Sequence, residues 1–339
     1  MSLSTDPMPA DGDSGASRKM LRLFIGVVVF IALYTGLWFL AARQAENYVT
    51  RLLAVAGADG LSGQCAGLKV SGYPFRIGLF CDNVKLDDVS IGASFTSGAL
   101  RSAAQIYNPG HSVIELDAPA EFRMTPDLAV TANWDRLRAS LRAGLSSISR
   151  FSSESDNLAV NLSLLTIGET GRLTAAHGEF HARQNGTALD VAASLDKPVL
   201  TIGGQPLTAS AVSVDMTLAD KAGLMNYDMA LPDGIDQDAG TLNRVAVDLG
   251  NGMTGDLSGP FTVDGDGLVS GEFTLAMTNL EGWRQALAAL LPDDRDTIDN
   301  VMNAIKALSG QKDRASVKLT ARKGTVFLTL IPLFVIPPL

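Results

Sequence analysis

The chain has 339 residues, of which 46% are hydrophobic, 19% charged and 6% aromatic. This composition supports a packed core and excludes global disorder, and the 33 glycines favour many short strands with tight turns over a helical bundle. The net charge of −9 argues against nucleic-acid binding, because an acidic surface gains nothing from counterion release. It also argues against a broad electrostatic contact with anionic lipid headgroups.

The N-terminal part of the chain contains an uncharged segment long enough to cross a membrane. Residues 1–17 are small, polar or acidic, which predicts a disordered cytoplasmic tail. Residues 23–42 carry no charge, and at 1.5 Å per residue they span about 30 Å, the thickness of a hydrocarbon core. We therefore expect a transmembrane signal-anchor helix over residues 18–43.

The residues that flank this segment predict its orientation. Three basic residues lie just before it and only Arg43 lies just after it, so the charge bias predicts a cytoplasmic N-terminus. Tyr34 and Trp38 lie toward the far end, where amphipathic rings favour the interface. A cleaved signal peptide is the alternative, although its apolar region is normally shorter and no clean cleavage site follows Ala42.

The next segments are predicted to stand on the non-cytoplasmic side. Helical spacing continues past the span and indicates a helical stalk over residues 44–60, followed by a β-rich domain over residues 61–339. Cys65 and Cys81 both lie in this domain, where an oxidising compartment favours a disulfide. Two unpaired buried thiols are the alternative, because spacing alone does not bring the Cα atoms close enough.

Most of the remaining sequence alternates between apolar and polar residues with a period of two. In the clearest run, Val212, Val214 and Met216 are interleaved with polar residues. Such alternation indicates strands with one dry and one wet face, which favours an antiparallel sheet. We predict a mainly β (α+β) fold in which the N-terminal helix is followed by an extended, curled antiparallel β-sheet.

Residues 280–310 have helical spacing instead. The apolar positions of the two helical runs are Leu280, Trp283, Leu287 and Leu290, then Ile298, Val301, Met302, Ile305 and Leu308. We predict two amphipathic helices near the C-terminus that pack their apolar faces on the sheet. Residues 135–155 are ambiguous between a helix and a strand followed by a loop. The proline-containing segment after residue 325 predicts an edge strand or a capping tail.

Few residues suggest chemistry. His177, Glu179 and His181 alternate along a predicted strand, which places their side chains on one face at intervals of about 6.6 Å. These are acceptable zinc-ligand types, but same-face strand residues diverge and a fourth ligand is not evident, so a solvated strand face is favoured over this weak metal candidate. The sequence has no phosphate-binding loop and no nucleophile elbow. We therefore predict no cofactor and no enzymatic activity.

A short motif connects the chain to a known family. Residues 71–76 read SGYPFR, and Cys81 opens the stretch CDNVKL soon after the membrane helix. This combination resembles the bacterial envelope family catalogued as domain of unknown function 2125 (DUF2125), over most of residues 18–339. More distantly, the arrangement is similar to AsmA-like envelope proteins, in which a curled sheet is thought to offer lipid an apolar groove. The resemblance implies an inner-membrane anchor and a periplasmic domain, and it implies no reaction.

The motif itself, Tyr73-Pro74-Phe75-Arg76, needs no ligand. Pro74 interrupts ladder hydrogen bonding and fixes a bend, so the first interpretation is a structural corner and the second is a recognition site. Arg76 is expected to lay its aliphatic stem on Tyr73 or to pair with an acidic neighbour.

Three functions remain open. The favoured hypothesis is a non-enzymatic envelope protein, anchored in the inner membrane, that binds or shields lipid or another apolar partner in a β-sheet groove. The alternative is a structural or scaffolding protein with a self-filled β core and protein partners. An envelope hydrolase is the third, and no motif supports it. An apolar trough that Trp283, Leu287, Val301 and Ile305 do not fill would favour lipid binding over scaffolding.

Overall fold

The computed structural model describes residues 14–55, 61–124, 127–144, 146–164, 168–202, 204–226, 238–290, 295–309 and 313–338.

The chain begins with one long helix, α1 (Ser14–Val55). Its stretch Arg18–Arg51 is long and apolar enough to cross a membrane, a property that a membrane anchor and a signal sequence share. The predicted anchor and the first part of the predicted stalk therefore form one continuous helix. Residues 1–13 of the predicted tail lie outside the described residues, as do residues 56–60 of the stalk. Residues 14–17 of the predicted tail belong to α1.

Strands dominate the rest of the described chain. In order they are β1 Leu61–Ala66, β2 Lys69–Ser71, β3 Arg76–Cys81, β4 Asn83–Asp88, β5 Ala93–Ser97, β6 Leu100–Gln105, β7 Asn108–Leu116, β8 Ala120–Met124, β9 Leu128–Asn133, β10 Arg136–Ala143, β11 Ile148–Leu164, β12 Glu169–Asn185, β13 Ala188–Asp196, β14 Val199–Ile202, β15 Gln205–Thr208, β16 Ala211–Leu218, β17 Asp238–Gly250, β18 Met253–Val263, β19 Val269–Thr278, β20 Arg314–Arg322, β21 Thr325–Leu328 and β22 Ile331–Val335. A single 3-10 turn, Ala222–Met225, follows β16 in the described part.

All of these strands belong to one open antiparallel sheet, which confirms the predicted fold class. The sheet has two arms that share β11 and β12. The short arm has the order β1-β4-β5-β8-β9-β11-β12-β14-β15. The long arm has the order β2-β3-β6-β7-β10-β11-β12-β13-β16-β17-β18-β19-β20-β21-β22. Pairs such as β3 and β4 are thus two halves of one long strand, and the sheet is a meander of long strands.

A crease separates the two arms. Along most long strands the apolar residues are odd-numbered on one side of the crease and even-numbered on the other. The change from Leu79 in β3 to Leu86 in β4 is an example. In β11 the change occurs at Asn157, whose φ of 51° lies in the left-handed region that asparagine tolerates. Ser155 before it and Leu158 after it both approach the position that a Cβ on Gly178 would occupy. The two arms therefore present their apolar sides on the same face of the sheet.

The helices α2 (Leu280–Leu290) and α3 (Arg295–Ser309) pack on that face at the C-terminal end of the sheet, as predicted. Trp283 donates its Nε1–H to the carbonyl of Thr254 at 3.2 Å, which fixes α2 on β18. The buried core formed there consists of Phe273, Met277, Leu280, Ile298, Met302, Ile305, Ala315, Val317, Leu319, Ala321, Val326 and Leu328. The well-packed core is thus confined to one end of a long sheet.

Two ambiguous segments form strands. Residues 135–155 contain β10 and the first half of β11, so the helical interpretation is wrong. A spacing of four residues places side chains on one face of a helix and equally on one face of a strand, which is why Leu137 and Leu141 did not discriminate. The C-terminal segment forms β21 and the edge strand β22, as predicted.

The predicted disulfide joins Cys65 in β1 to Cys81 in β3, with Cα atoms 5.2 Å apart. Cys65 lies in the short arm and Cys81 ends its strand at the crease in the long arm. The bond therefore ties the two arms together at the N-terminal edge of the sheet. The backbone N–H of Asp82 donates to the carbonyl of Ala66 at 2.7 Å and joins the same two segments.

Removal of the disulfide is expected to destabilise the domain without changing its topology. The bond closes a loop with a sequence separation of 16, and the chain-entropy model assigns such a loop about 3 kcal/mol. We expect a Cys65→Ala/Cys81→Ala variant of the detergent-solubilised chain to lose about that much unfolding free energy in a denaturant titration. A reducing agent should lower the stability of the wild type and leave the variant unchanged. Equal stability of the oxidised wild type and the variant would contradict this role.

Candidate functional site

The apolar face of the sheet is a candidate binding surface. Directly opposed residues of antiparallel strands point to the same side, so the register aligns apolar side chains into rows that cross many strands. One row of the short arm contains Gly63, Leu86, Phe95, Phe122, Val130, Leu162 and Gly171. One row of the long arm contains Val70, Leu79, Ser102, Ile114, Ala139, Ser153, Phe180, Ala193, Val214 and Val245.

Most of this apolar face is not covered by other parts of the described chain. Phe180 is 39% exposed, Leu162 38% and Leu200 36%, although all three belong to apolar rows. Beneath the helices the same face is closed, and Leu319 is only 7% exposed. The helices therefore fill the trough at one end, and the rows from β1 and β2 as far as β16 remain accessible. A filled trough and an open trough were the two alternatives from the sequence. The sheet is long enough that the helices cover one part of its apolar face and leave another part open.

The short arm contains the most apolar part of the open face. A groove of about 410 Å³ is lined there by Val160, Leu162, Leu164, Thr170, Gly171, Arg172, Leu173 and Leu200. Its walls come from β11, β12 and β14, which are hydrogen-bonded neighbours, so the groove follows the surface of the sheet. Its lining suits a hydrocarbon and offers few polar groups for a polar ligand.

The opposite face of the sheet is polar and carries ladders of ion pairs. Arg138 Nε donates to Glu115 Oε1 at 2.9 Å, and Arg101 Nη1 donates to Asp117 Oδ2 at 2.8 Å. The hydrogen bond from Arg101 lowers the pKa of Asp117. These pairs are partly exposed, so each contributes little to stability. Their charged groups make this face polar and hydrated.

The weak metal candidate lies on that polar face. His177 Nε2 is 3.4 Å from Glu179 Oε1, and His181 Nε2 is 3.2 Å from Glu179 Oε2. Asp156 on the neighbouring strand joins the cluster, with Oδ1 2.8 Å from His177 Nδ1. Within the described residues, no group of three or more His, Cys, Asp and Glu side chains is arranged to hold a metal ion. The hydrogen bond that Asp156 accepts raises the pKa of His177, and the hydrogen bond that Glu179 accepts from His181 lowers the pKa of Glu179.

The motif Tyr73-Pro74-Phe75-Arg76 lies in the turn between β2 and β3, and it contacts α1. Tyr34 donates its hydroxyl to the carbonyl of Pro74 at 2.5 Å, and the hydroxyls of Thr35 and Tyr73 are 2.7 Å apart. One helical turn further on, Trp38 Nε1 donates to the carbonyl oxygen of Arg76 at 3.2 Å. The corner that the sequence predicted is therefore a docking point between the sheet and the apolar helix.

Aromatic packing reinforces this docking. The ring of Tyr73 meets Trp38 edge-on at 5.5 Å between centroids and stacks on Phe39 at 6.1 Å. Trp38 is only 5% exposed, whereas Phe75 at the tip of the turn is 71% exposed. Such aromatic pairs contribute about 0.5–1.5 kcal/mol beyond the area that they bury.

Gly72 and Arg76 shape the turn. Gly72 has φ of 119°, and a Cβ there would lie 2.7 Å from the carbonyl oxygen of Arg76. The same Cβ position is 2.9 Å from Arg76 Cγ, so the first part of the arginine stem lies over Gly72. Within the described residues Arg76 forms no ion pair with an acidic neighbour.

The sequence interpretation missed the partners of the motif on α1. The sequence predicted only an interface position for Tyr34 and Trp38, and it predicted no contact for Thr35. The available signal was the clustering of hydrogen-bonding side chains within one turn of an otherwise apolar segment. In a hydrocarbon environment such groups need protein partners.

The docking can be tested with two substitutions on the same helix. Trp38→Ala removes a side chain that is 95% buried, and we expect a loss of about 3 kcal/mol in the unfolding free energy of the detergent-solubilised chain. Leu40→Ala is the matched control, because Leu40 is 67% exposed and the expected change is below about 0.5 kcal/mol. Similar losses for the two variants would show that α1 does not dock on the sheet.

The polar cluster predicts a pH dependence. His177 has a pKa above its ordinary 6.5 in the folded chain, so its stabilising contribution is complete below pH 6.5 and is lost as the pH rises through the raised value. Asp156 has a pKa below 3.8, so its contribution is complete above pH 3.8 and is lost as the pH falls through the lowered value.

An NMR titration of the His177 ring measures this directly. We expect the pKa of His177 to lie above 6.5 in the wild type and to fall toward 6.5 in Asp156→Asn. Glu154→Gln is the control, because Glu154 pairs in register with Glu179 and has no hydrogen bond to His177. A wild-type value at or below 6.5 would contradict the assignment.

Comparison with known proteins agrees with the motif and the fold. No curated protein and no solved structure matches the chain. A family model described as an uncharacterised protein conserved in bacteria, DUF2125, matches residues 38–337, which begin at the docked turn of α1 and include every strand. The chain therefore belongs to the DUF2125 family.

Proposed function

We propose that this protein is anchored by α1 in the bacterial inner membrane, with its N-terminus in the cytoplasm, and that its periplasmic sheet binds or shields the acyl chains of lipid along the apolar face. The observation that carries this proposal is the length of apolar surface left uncovered. The short-arm row crosses seven strands, and six steps of about 4.8 Å between neighbouring strands correspond to about 29 Å.

The docking of α1 supports an anchor over a cleaved signal peptide. Cleavage after α1 would remove Tyr34, Thr35 and Trp38 and leave the motif in the β2–β3 turn without its partners. The Cys65–Cys81 disulfide supports an oxidising compartment for the sheet. The charge bias around the span supports the orientation. The distant likeness to AsmA-like envelope proteins belongs to this proposal as well.

The composition of the face supports lipid over a polar ligand. The side chains that line the short-arm groove are mainly branched aliphatic, and the ion pairs lie on the opposite face. A wide apolar surface in water is unfavourable by about 25 cal/mol for each Å². A partner with a flexible hydrocarbon chain covers such a surface without needing directional hydrogen bonds.

A scaffolding role is the second candidate, and the C-terminal edge of the sheet favours it. Leu330, Phe334 and Val335 are 87%, 57% and 66% exposed beside β22, whose outer side pairs with no strand of the described chain. An exposed apolar edge strand is a template for pairing with another protein. This surface lies beyond the helices, at the opposite end of the sheet from α1.

Lipid binding is tested by mass spectrometry of phospholipid that copurifies with gently extracted protein. We expect phospholipid with the wild type and a clear loss of it in Leu162→Glu/Leu200→Glu, which places two charges in the groove. The matched control is Asn161→Glu/Thr201→Glu, because these adjacent residues occupy the opposite face of the same strands. Retention by both variants, or absence of lipid from the wild type, would refute lipid binding.

A further inference from the structure

The turn between β2 and β3 lies level with the apolar part of α1. Tyr34 is eight residues before the outer end of the uncharged segment at Ala42, which corresponds to about 12 Å along the helix axis. Its hydroxyl nevertheless contacts the carbonyl of Pro74, and Trp38, about 6 Å inside the same end, contacts that of Arg76. If the uncharged segment spans the hydrocarbon core, the tip of this turn is inside the outer half of that core.

Four backbone carbonyls in and beside the turn have hydrogen-bond donors within the protein. Irregular backbone is tolerated at membrane depth only where protein groups satisfy its hydrogen bonds. The carbonyl of Gly72 accepts from the N–H of Arg76 at 3.1 Å, and that of Phe75 accepts from Ile106 at 3.1 Å. The carbonyls of Pro74 and Arg76 accept from α1, and Pro74 has no N–H to satisfy.

The β2–β3 and β6–β7 turns lie side by side at one edge of the sheet, called the rim here, and their aromatic side chains are exposed. Phe75 is 71% exposed, and Tyr73 is 44% exposed beside it. The N–H of Ile106 that bonds Phe75 belongs to the β6–β7 turn, whose next residue, Tyr107, is 76% exposed. Aromatic rings are the side chains that favour the membrane interface, where one end of the ring is dry and the other is wet.

We propose that the β2–β3 turn, with Phe75 at its tip and Tyr107 beside it, enters the outer leaflet of the membrane that α1 crosses. The sheet then rests on the bilayer by this rim as well as by its helix. Ile77 and Leu79 are the first residues of β3 on the apolar face, and they follow the turn after Arg76. The apolar face therefore starts at the leaflet, and an acyl chain reaches it without crossing water. This inference rests on the proposed anchoring by α1.

The test measures the depth of single fluorescent labels in a bilayer. The full chain has two cysteines, both in the disulfide, so a new cysteine is the only thiol for labelling under oxidising conditions. Phe75→Cys and Tyr107→Cys report on the rim at α1. Val89→Cys is the matched control, because Val89 is 79% exposed at the β4–β5 turn, on the opposite rim of the sheet.

The labelled proteins are inserted into phosphatidylcholine vesicles with the sheet outside. We expect nitroxide-bearing phosphatidylcholine to quench the labels at Phe75→Cys and Tyr107→Cys and aqueous iodide to leave them bright. The label at Val89→Cys should show the reverse. Labels at both rim positions that respond like Val89→Cys would overturn the inference, and Tyr107→Cys carries the test if Phe75→Cys does not fold.

Failure of the inference is distinguishable from failure of the proposed function. If the trough binds no lipid, copurification fails while the rim labels stay quenched by the bilayer. If α1 is not an anchor, the protein does not float with the vesicles at all, which overturns both. If the anchor holds and only the rim stays in water, the chain floats and the labels are quenched by iodide.

Discussion

The hydrogen-bonded register of the antiparallel strands keeps the apolar residues of this sheet on one face. Side chains alternate along a strand, so a slip by one residue would turn a whole strand over and interrupt every row that crosses it. The crease shows this constraint. Most long strands switch there between odd-numbered and even-numbered apolar residues, and because they switch together the apolar side chains stay on one face. In β11 the left-handed conformation of Asn157 produces this switch. Everything that the face does depends on this alignment.

The distribution of burial follows from how that face is covered. Two short helices supply enough apolar surface to close the sheet over its C-terminal strands, where the buried core is found. They do not reach the other strands, whose apolar side chains stay partly exposed. A domain normally covers such a surface with a second layer. Here the described chain offers none over the first strands, so the apolar side chains of that part of the face remain partly exposed.

The N-terminal helix gives the trough its position. Three side chains of one stretch of α1 bond the β2–β3 turn, and the ring of Tyr73 packs on the same stretch. The disulfide and the crease then connect this turn to both arms of the sheet. These contacts hold the apolar helix beside the edge of the sheet at which the apolar rows begin. The helix thus packs as part of the domain.

The sequence by itself determined the local structure and the general architecture. The uncharged segment, the period-two alternation and the two amphipathic runs predicted the long helix, the antiparallel sheet and α2 with α3, because local spacing fixes which side of an element is apolar. The pair Cys65 and Cys81 was likewise visible as a candidate disulfide. Residues 135–155 stayed ambiguous, since a four-residue spacing fits a helix and a strand equally.

Only the tertiary structure decided how these elements meet. The contact between Tyr34 and Pro74 joins residues 40 positions apart, and the local sequence of either segment does not identify the other as its partner. The extent of the open trough depends on where two helices end relative to a sheet of many strands, which is a property of the assembled layers. The sequence therefore determined that the protein has an apolar face and an apolar helix. The long-range packing decided that they lie side by side.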